Sequence, residues 1–266
     1  TKMFSYNDIA SLERLFKEFP NKISCVILEP SVTEHPKNNF LQKVQSLCKE
    51  NNTLFILDEM ITGFRWHLKG AQHYYGVDPD LCTFGKAMAN GFSVAAIAGK
   101  RKIMQQGSIE FKGTKRLFML STTHGAEMSG LGAFVETMRL MKTNNVVEHL
   151  WDYGNKLITV MNKAAKDFGI EKYFVAGGVD CSPYYLTFDK NGKNSLGLRT
   201  LFSQEMIKNG VLMPWIALSY AHKERELELT KAALEKTFII YKNAVEEGYE
   251  KYLVGSPIKP VFREYN

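Results

Sequence analysis

Cysteine is scarce in this sequence and never paired. Cys25, Cys48, Cys82 and Cys181 are widely spaced, with no CxxC among them. That spacing suggests neither a zinc site nor a disulfide framework, so no metal is expected and a reducing, cytoplasmic compartment is. No apolar run approaches the roughly 20 residues of a membrane-spanning helix. The first residues lack the basic-then-apolar pattern of a secretory signal, and no membrane association is expected. Internal repeats and low-complexity tracts are also missing. Basic residues outnumber acidic ones, for a net charge of +6. No basic stretch interleaves with aromatics, however, so no nucleic-acid partner is expected. The excess charge can serve anionic ligands or coat solvated helix faces, as in KNAVEEGYEK. The alternating signs of that stretch favour the second reading.

What remains is an ordinary globular composition over 266 residues, 45% hydrophobic and 23% charged, enough for one or two domains with a real core. Residues 7–19 place Ile9, Leu12, Leu15 and Phe16 on one helical face, with Asn7 as the expected N-cap. ISCVILEP reads as a buried strand ended by Pro30, residues 39–49 as a helix, and TLFILDE as a second buried strand. LCTFG, VAAIAG and LFMLST supply three further strand candidates. Strands apolar on both faces and alternating with helices predict an α/β fold with a mostly parallel sheet covered on both sides.

The second half changes character. Helices are expected over 126–142, 146–166, 197–208 and 223–247, with short strands near 174–175 and 184–188. Asn209-Gly210 is a stop signal for the third of these helices. VLMPW reads as an edge strand or a loop, because Pro214 cannot donate to a ladder. The pattern predicts a large domain over 1–142 and a small α+β domain over 143–266.

Three stretches fall at the carboxyl ends of expected parallel strands, where open α/β sheets place their ligands. They are Glu29-Pro30, Asp58-Glu59-Met60 and Gly85-Lys86. A lysine amine attacks carbonyl carbon when its surroundings favour the uncharged form, and a buried carboxylate can hold a pyridine nitrogen protonated. Alone, the Asp58 and Lys86 pair is equally an ion pair capping two strands. The wording around it decides. DEMITGFR, PDLCTFGKAMANG and VAAIAGKR, with SYNDIASLERLF and ISCVILEP before them and STTHG and GVLMPWIALSYAHKERELELT after, closely resemble the class III aminotransferases of the fold-type I pyridoxal phosphate superfamily. Within that family the chain is most similar to the glutamate-1-semialdehyde 2,1-aminomutase branch.

The resemblance implies pyridoxal 5′-phosphate as cofactor and Lys86 as its Schiff-base lysine and proton shuttle. It implies that Asp58 pairs with the ring nitrogen, that Met60 packs on the ring, and that Glu29 helps order the site. Thr122 would contact the cofactor phosphate across the interface of a homodimer with shared active sites. The substrate would be a small amino or aldehyde compound. Ordinary transamination, as in building surface polysaccharides, is the alternative to amino exchange within one molecule. A fold kept only as a binding module is a third reading, and the presence of both Lys86 and Asp58 argues against it. Arg65, Ser219, His222 and His124 are weaker candidates, and Gly63 and Gly91 are expected to serve turns. No glycine-rich phosphate loop precedes Glu29, so the chain is expected to be part of a longer polypeptide and to bind the cofactor poorly by itself. After STTHG it has Ala126-Glu127 where the family commonly has Asn-Pro, which weakens any transfer of detailed geometry around Thr122.

Overall fold

The computed structural model describes residues 1–31, 33–108, 110–113 and 125–259. LFMLST, Thr122 and His124 lie outside them. The chain divides into two compact units, Thr1–Val147 and Glu148–Asn266.

The first unit contains α1 (Ile9–Glu18), β1 (Cys25–Leu28), α2 (Phe40–Glu50), β2 (Leu54–Asp58), α3 (Ala71–Tyr75), β3 (Leu81–Phe84), β4 (Ala96–Gly99), α4 (Arg101–Met104) and α5 (Met128–Thr143). The strands form one sheet in the order β1-β2-β3-β4. The first three run parallel and β4 pairs antiparallel to β3, so the expected mostly parallel α/β arrangement holds.

Strand alternation explains which side of this sheet is packed. Val26, Phe55, Leu57 and Cys82 share one face and are buried against Leu12 and Phe16 of α1 and Leu41, Val44 and Cys48 of α2. Leu57 is completely buried, and trimming such a side chain to alanine costs about 2–5 kcal/mol. The opposite face departs from the expectation of two covered faces. Ile27 and Ile97 on it are 54% and 55% exposed among the described residues. The cap of α1 also differs. The Asp8 carboxylate accepts from Ser11 N at 3.2 Å, whereas Asn7 has φ 62° and accepts from Lys37 N at 2.8 Å. Asp8 directly precedes the first helical residue, so its short side chain reaches the free N–H groups. Asn7 is one position too early.

The second unit is built around α6 (Val146–Asp167), the antiparallel pair β5 (Phe174–Val179) and β6 (Ser182–Thr187), and the helices α7 (Leu196–Lys208) and α8 (Glu224–Glu247). Ser195 caps α7 by accepting from Leu198 N at 3.2 Å, and the helix stops at Asn209-Gly210 as expected. Residues 211–215 are irregular, the loop alternative for VLMPW. Phe174, Tyr185, Phe202, Phe238 and Tyr241 form an aromatic core, and Phe174 lies 4.8 Å from Phe202 and 5.0 Å from Phe238 between ring centroids. Such edge and offset contacts add about 0.5–1.5 kcal/mol each beyond area burial.

Candidate active site

The chemistry-bearing residues gather at the carboxyl ends of β1, β2 and β3. Leu28 pairs with Leu57 and Asp58 pairs with Thr83. Glu29 therefore stands level with Asp58, and strand alternation puts Glu29, Asp58 and Thr83 on the face away from the α1/α2 core. Asp58 is held in place. Its Oδ1 accepts from Met60 N at 3.0 Å and from Thr83 Oγ1 at 3.0 Å. Half-buried and doubly bonded through one oxygen, it presents a carboxylate of fixed orientation.

Lys86 follows Gly85 at the end of β3 and opens a 3-10 turn, Lys86–Met88. Its φ of 44° lies in the left-handed region, a strained conformation costing about 1–2 kcal/mol for a residue with a side chain. Asn90 N donates to its carbonyl at 3.2 Å, which helps to hold the turn. The Lys86 side chain is exposed among the described residues. The end of the Met60 side chain packs against Gly85. A Cβ on Gly85 would overlap Met60 Cε and come within 2.9 Å of its Sδ, so glycine there makes room for the thioether.

Glu29 is the second carboxylate of the group. Burial, then the charge of Asp58, pushes its carboxyl above the ordinary carboxylate range, and Lys86 opposes the shift. Its Oε2 is buried and has no hydrogen-bond partner among the described residues. Glu29, Asp58, Met60 and Lys86 are thus brought together. Of the five expected site residues, only Thr122 falls outside the described residues.

Glu59 is a structural anchor that the sequence reading missed. It is completely buried. Its Oε2 accepts from Ala71 N at 2.6 Å and Thr62 Oγ1 at 2.9 Å, and its Oε1 accepts from Gln72 N at 2.8 Å. These bonds tie the segment after β2 and the start of α3 to the residue between Asp58 and Met60. Burial outweighs these bonds and raises its pKa. The signal was available, since alternation puts the second acid of Asp58-Glu59 on the buried face, where a carboxylate needs partners. Gly63 lies within a run of turns, its N–H donating to Glu59 O at 2.9 Å, and a Cβ there would also come within 2.7 Å of Glu59 O and Phe84 Cδ1. Gly91 has φ 109° and open space around it, which fits the turn role. Ser219 N donates to His222 Nδ1 at 3.3 Å, within a turn just before α8.

A mostly parallel α/β sheet with carboxylates and a lysine at its carboxyl edge has the arrangement in which open-sheet α/β proteins place their ligands. Residues 4–177 match the family model described as aminotransferase class-III, and the chain belongs to that family. It is 32% identical over 254 residues to glutamate-1-semialdehyde 2,1-aminomutase of Francisella philomiragia, covering 90% of this chain and 58% of the relative. The enzyme of the same name from Wigglesworthia glossinidia brevipalpis is 32% identical over 260 residues, covering 92% and 59%. This chain therefore spans less than two thirds of the length of these relatives. Among solved structures, FumI protein from Sphingopyxis sp. MTA144, in a PLP form, superposes with TM-score 0.82 at 21% identity, covering 92% of this chain and 58% of FumI. A glutamate-1-semialdehyde-aminomutase variant of Pseudomonas aeruginosa PAO1 in complex with PMP gives TM-score 0.74 at 18% identity, covering 89% and 56%. These likenesses show the shared fold.

Proposed function

We propose that this chain carries the amino-transfer site of a pyridoxal 5′-phosphate enzyme that exchanges amino groups in the manner of glutamate-1-semialdehyde 2,1-aminomutase. One observation carries the reading: an oriented carboxylate, Asp58, ends one parallel strand and Lys86 follows the end of the next. The residues present fit the group. Asp58 offers an anion for a ring nitrogen, Met60 an apolar surface beside Gly85, and Glu29 a carboxylate oxygen with no partner among the described residues. Bound there, pyridoxal phosphate supplies an aldehyde that condenses with amines and a ring that accepts electrons from the reacting carbon.

The chain's own residues do the rest. Asp58 keeps the proton on the ring nitrogen, because its negative charge favours the charged form of that group. The Lys86 Nζ would hold the cofactor aldehyde and would be the base that moves the proton at the reacting carbon. Met60 would give the ring an apolar surface, where a polar side chain would compete for the same charge. In this reading residues 1–142 are part of the cofactor-binding large domain and 143–266 are the small domain. The same reading gives a homodimer with shared active sites, with Thr122 reaching the partner's cofactor phosphate. Exposed Met128 and Val135, one above the other on α5, support an interface near that segment. A cytoplasmic location goes with it, supported by four cysteines without a disulfide. No helix among the described residues is long and apolar enough to cross a membrane.

Product analysis with glutamate-1-semialdehyde tests the reading. Conversion to 5-aminolevulinate with no added amino donor is expected. Turnover only with a separate donor and acceptor would replace it with ordinary transamination of an aldehyde or keto substrate.

A further inference from the structure

We propose that the second unit carries a binding site for a small uncharged molecule, an aromatic or branched apolar body bearing one hydroxyl group, which Tyr153, His222 and Glu226 receive. The proposal goes beyond the amino-transfer reading and does not rest on it, because every residue of this site belongs to the second unit.

Tyr153 carries the argument. It is only 6% exposed, and its hydroxyl makes no hydrogen bond among the described residues. Of those residues only Glu29 has a side-chain polar atom that is both sealed and unpaired, so the Tyr153 hydroxyl opens outward, into a cleft of about 300 Å³ that Tyr153 lines. That volume is at the small end of ligand sites. The walls are apolar: Leu157, Ile216 and Leu218, with Trp215 and Leu229 left 72% and 53% exposed. The polar groups are Tyr153, His222, whose ring centroid lies 5.5 Å from that of Tyr153, and Glu226 in the first turn of α8. Their hydrogen-bonding roles define the ligand. Burial, then Glu226 and Glu224, pushes the Tyr153 phenol up to about 12, so it keeps its proton and can donate. His222 Nδ1 accepts from Ser219 N, which leaves the ring proton on Nε2 as a second donor. Glu226 Oε2 accepts from Lys223 N at 2.9 Å, and that bond first of all holds its carboxyl below the ordinary range. It stays a carboxylate, with lone pairs left for a ligand. A hydroxyl group meets both kinds of partner, accepting from Tyr153 and His222 and donating to Glu226. An ammonium has nothing to offer the two donors, and a carboxylate is repelled by Glu226.

The test uses the full chain, 15N-labelled and without cofactor. Benzyl alcohol, toluene, benzylamine and benzoate, which share one ring and differ in the polar group, are titrated into it at neutral pH. The Trp215 indole and Leu218 amide signals are followed. Benzyl alcohol is expected to bind about ten-fold more tightly than toluene, the value of one added hydrogen bond, and to bind more tightly than the protonated amine or benzoate. Tyr153→Phe keeps the ring and loses a hydroxyl that has no bond of its own. It is expected to fold as the wild type, to bind toluene equally and to lose most of the preference for the alcohol. Glu226→Gln keeps an acceptor for Lys223 N and is expected to relieve the exclusion of benzoate. A wild type that does not prefer the alcohol to toluene, or that binds benzylamine more tightly, overturns the proposal. So does the absence of shifts at Trp215 and Leu218, or an unchanged preference in Tyr153→Phe.

Discussion

Replacing Glu59 by glutamine keeps the shape of the side chain and removes its charge, so it isolates what the buried carboxylate does. The three donors that meet it are Ala71 N, Gln72 N and Thr62 Oγ1. A glutamine oxygen can accept from two of them. Its amide nitrogen then faces the third donor, leaving buried donors against each other. One lost bond and its unsatisfied partner cost about 2 kcal/mol. A second consequence concerns pH. Burial raises the Glu59 pKa despite the three bonds, so the folded state holds this proton more tightly than the unfolded chain. The stability from that proton is complete below the unfolded carboxylate value of about 4.3. It is lost as pH rises through the raised folded value. Glu59→Gln has no such proton to lose, so the wild-type advantage should shrink as pH rises across that window. Hydrogen exchange of the Ala71 and Gln72 amides, measured in both proteins from acid to neutral pH, reads this locally. An advantage that grows with pH would mean that the bonds outweigh desolvation, and the reasoning would be refuted.

Three further outcomes are expected. Gly85→Ala should lower stability by no more than about 1 kcal/mol, since the atoms it meets are the flexible end of Met60 and its backbone is extended; cofactor affinity should fall more, because Met60 is displaced. Paired thermal unfolding and cofactor titration check this, and a large stability loss with unchanged affinity would contradict it. Tyr241→Phe removes a bond of 2.8 Å to Tyr173 O, but that carbonyl keeps Phe188 N at 2.8 Å, so urea unfolding should show a loss of only about 1 kcal/mol. Asp58→Asn should fold normally, because the amide oxygen can still accept from Met60 N and Thr83 Oγ1, while rapid-mixing kinetics of amine exchange should show a strongly slowed reaction; an unchanged rate would remove Asp58 from the chemistry.

Much of the fold was legible because the strand and helix periods differ. CVIL, LFILD and LCTF read as strands from short apolar runs with stop signals, and the long helices of the second half from their spacing. What was not legible depends on neighbours that a linear pattern does not name. Asp8 rather than Asn7 caps α1 because one residue's advance decides which side chain reaches the free N–H groups. The exposure of Ile27 could not be foreseen, because an apolar residue on a strand says nothing of what packs on it. The site residues were legible as strand-end chemistry, and their motif wording resolved an ion pair from a cofactor pair. The left-handed backbone of Lys86 was invisible, since lysine carries no turn signal of its own. Glu59 was legible only through alternation, which puts it on the packed face; its three donors come from Thr62, Ala71 and Gln72 in the segment that follows.

The central claim is that Lys86 is the residue that binds the cofactor. Borohydride reduction of the protein equilibrated with pyridoxal phosphate, followed by peptide mapping, tests it most directly. The label that the protein takes up is expected on Lys86, and it is expected to disappear in Lys86→Ala. Label concentrated on another lysine, or equal labelling of the variant, would contradict it.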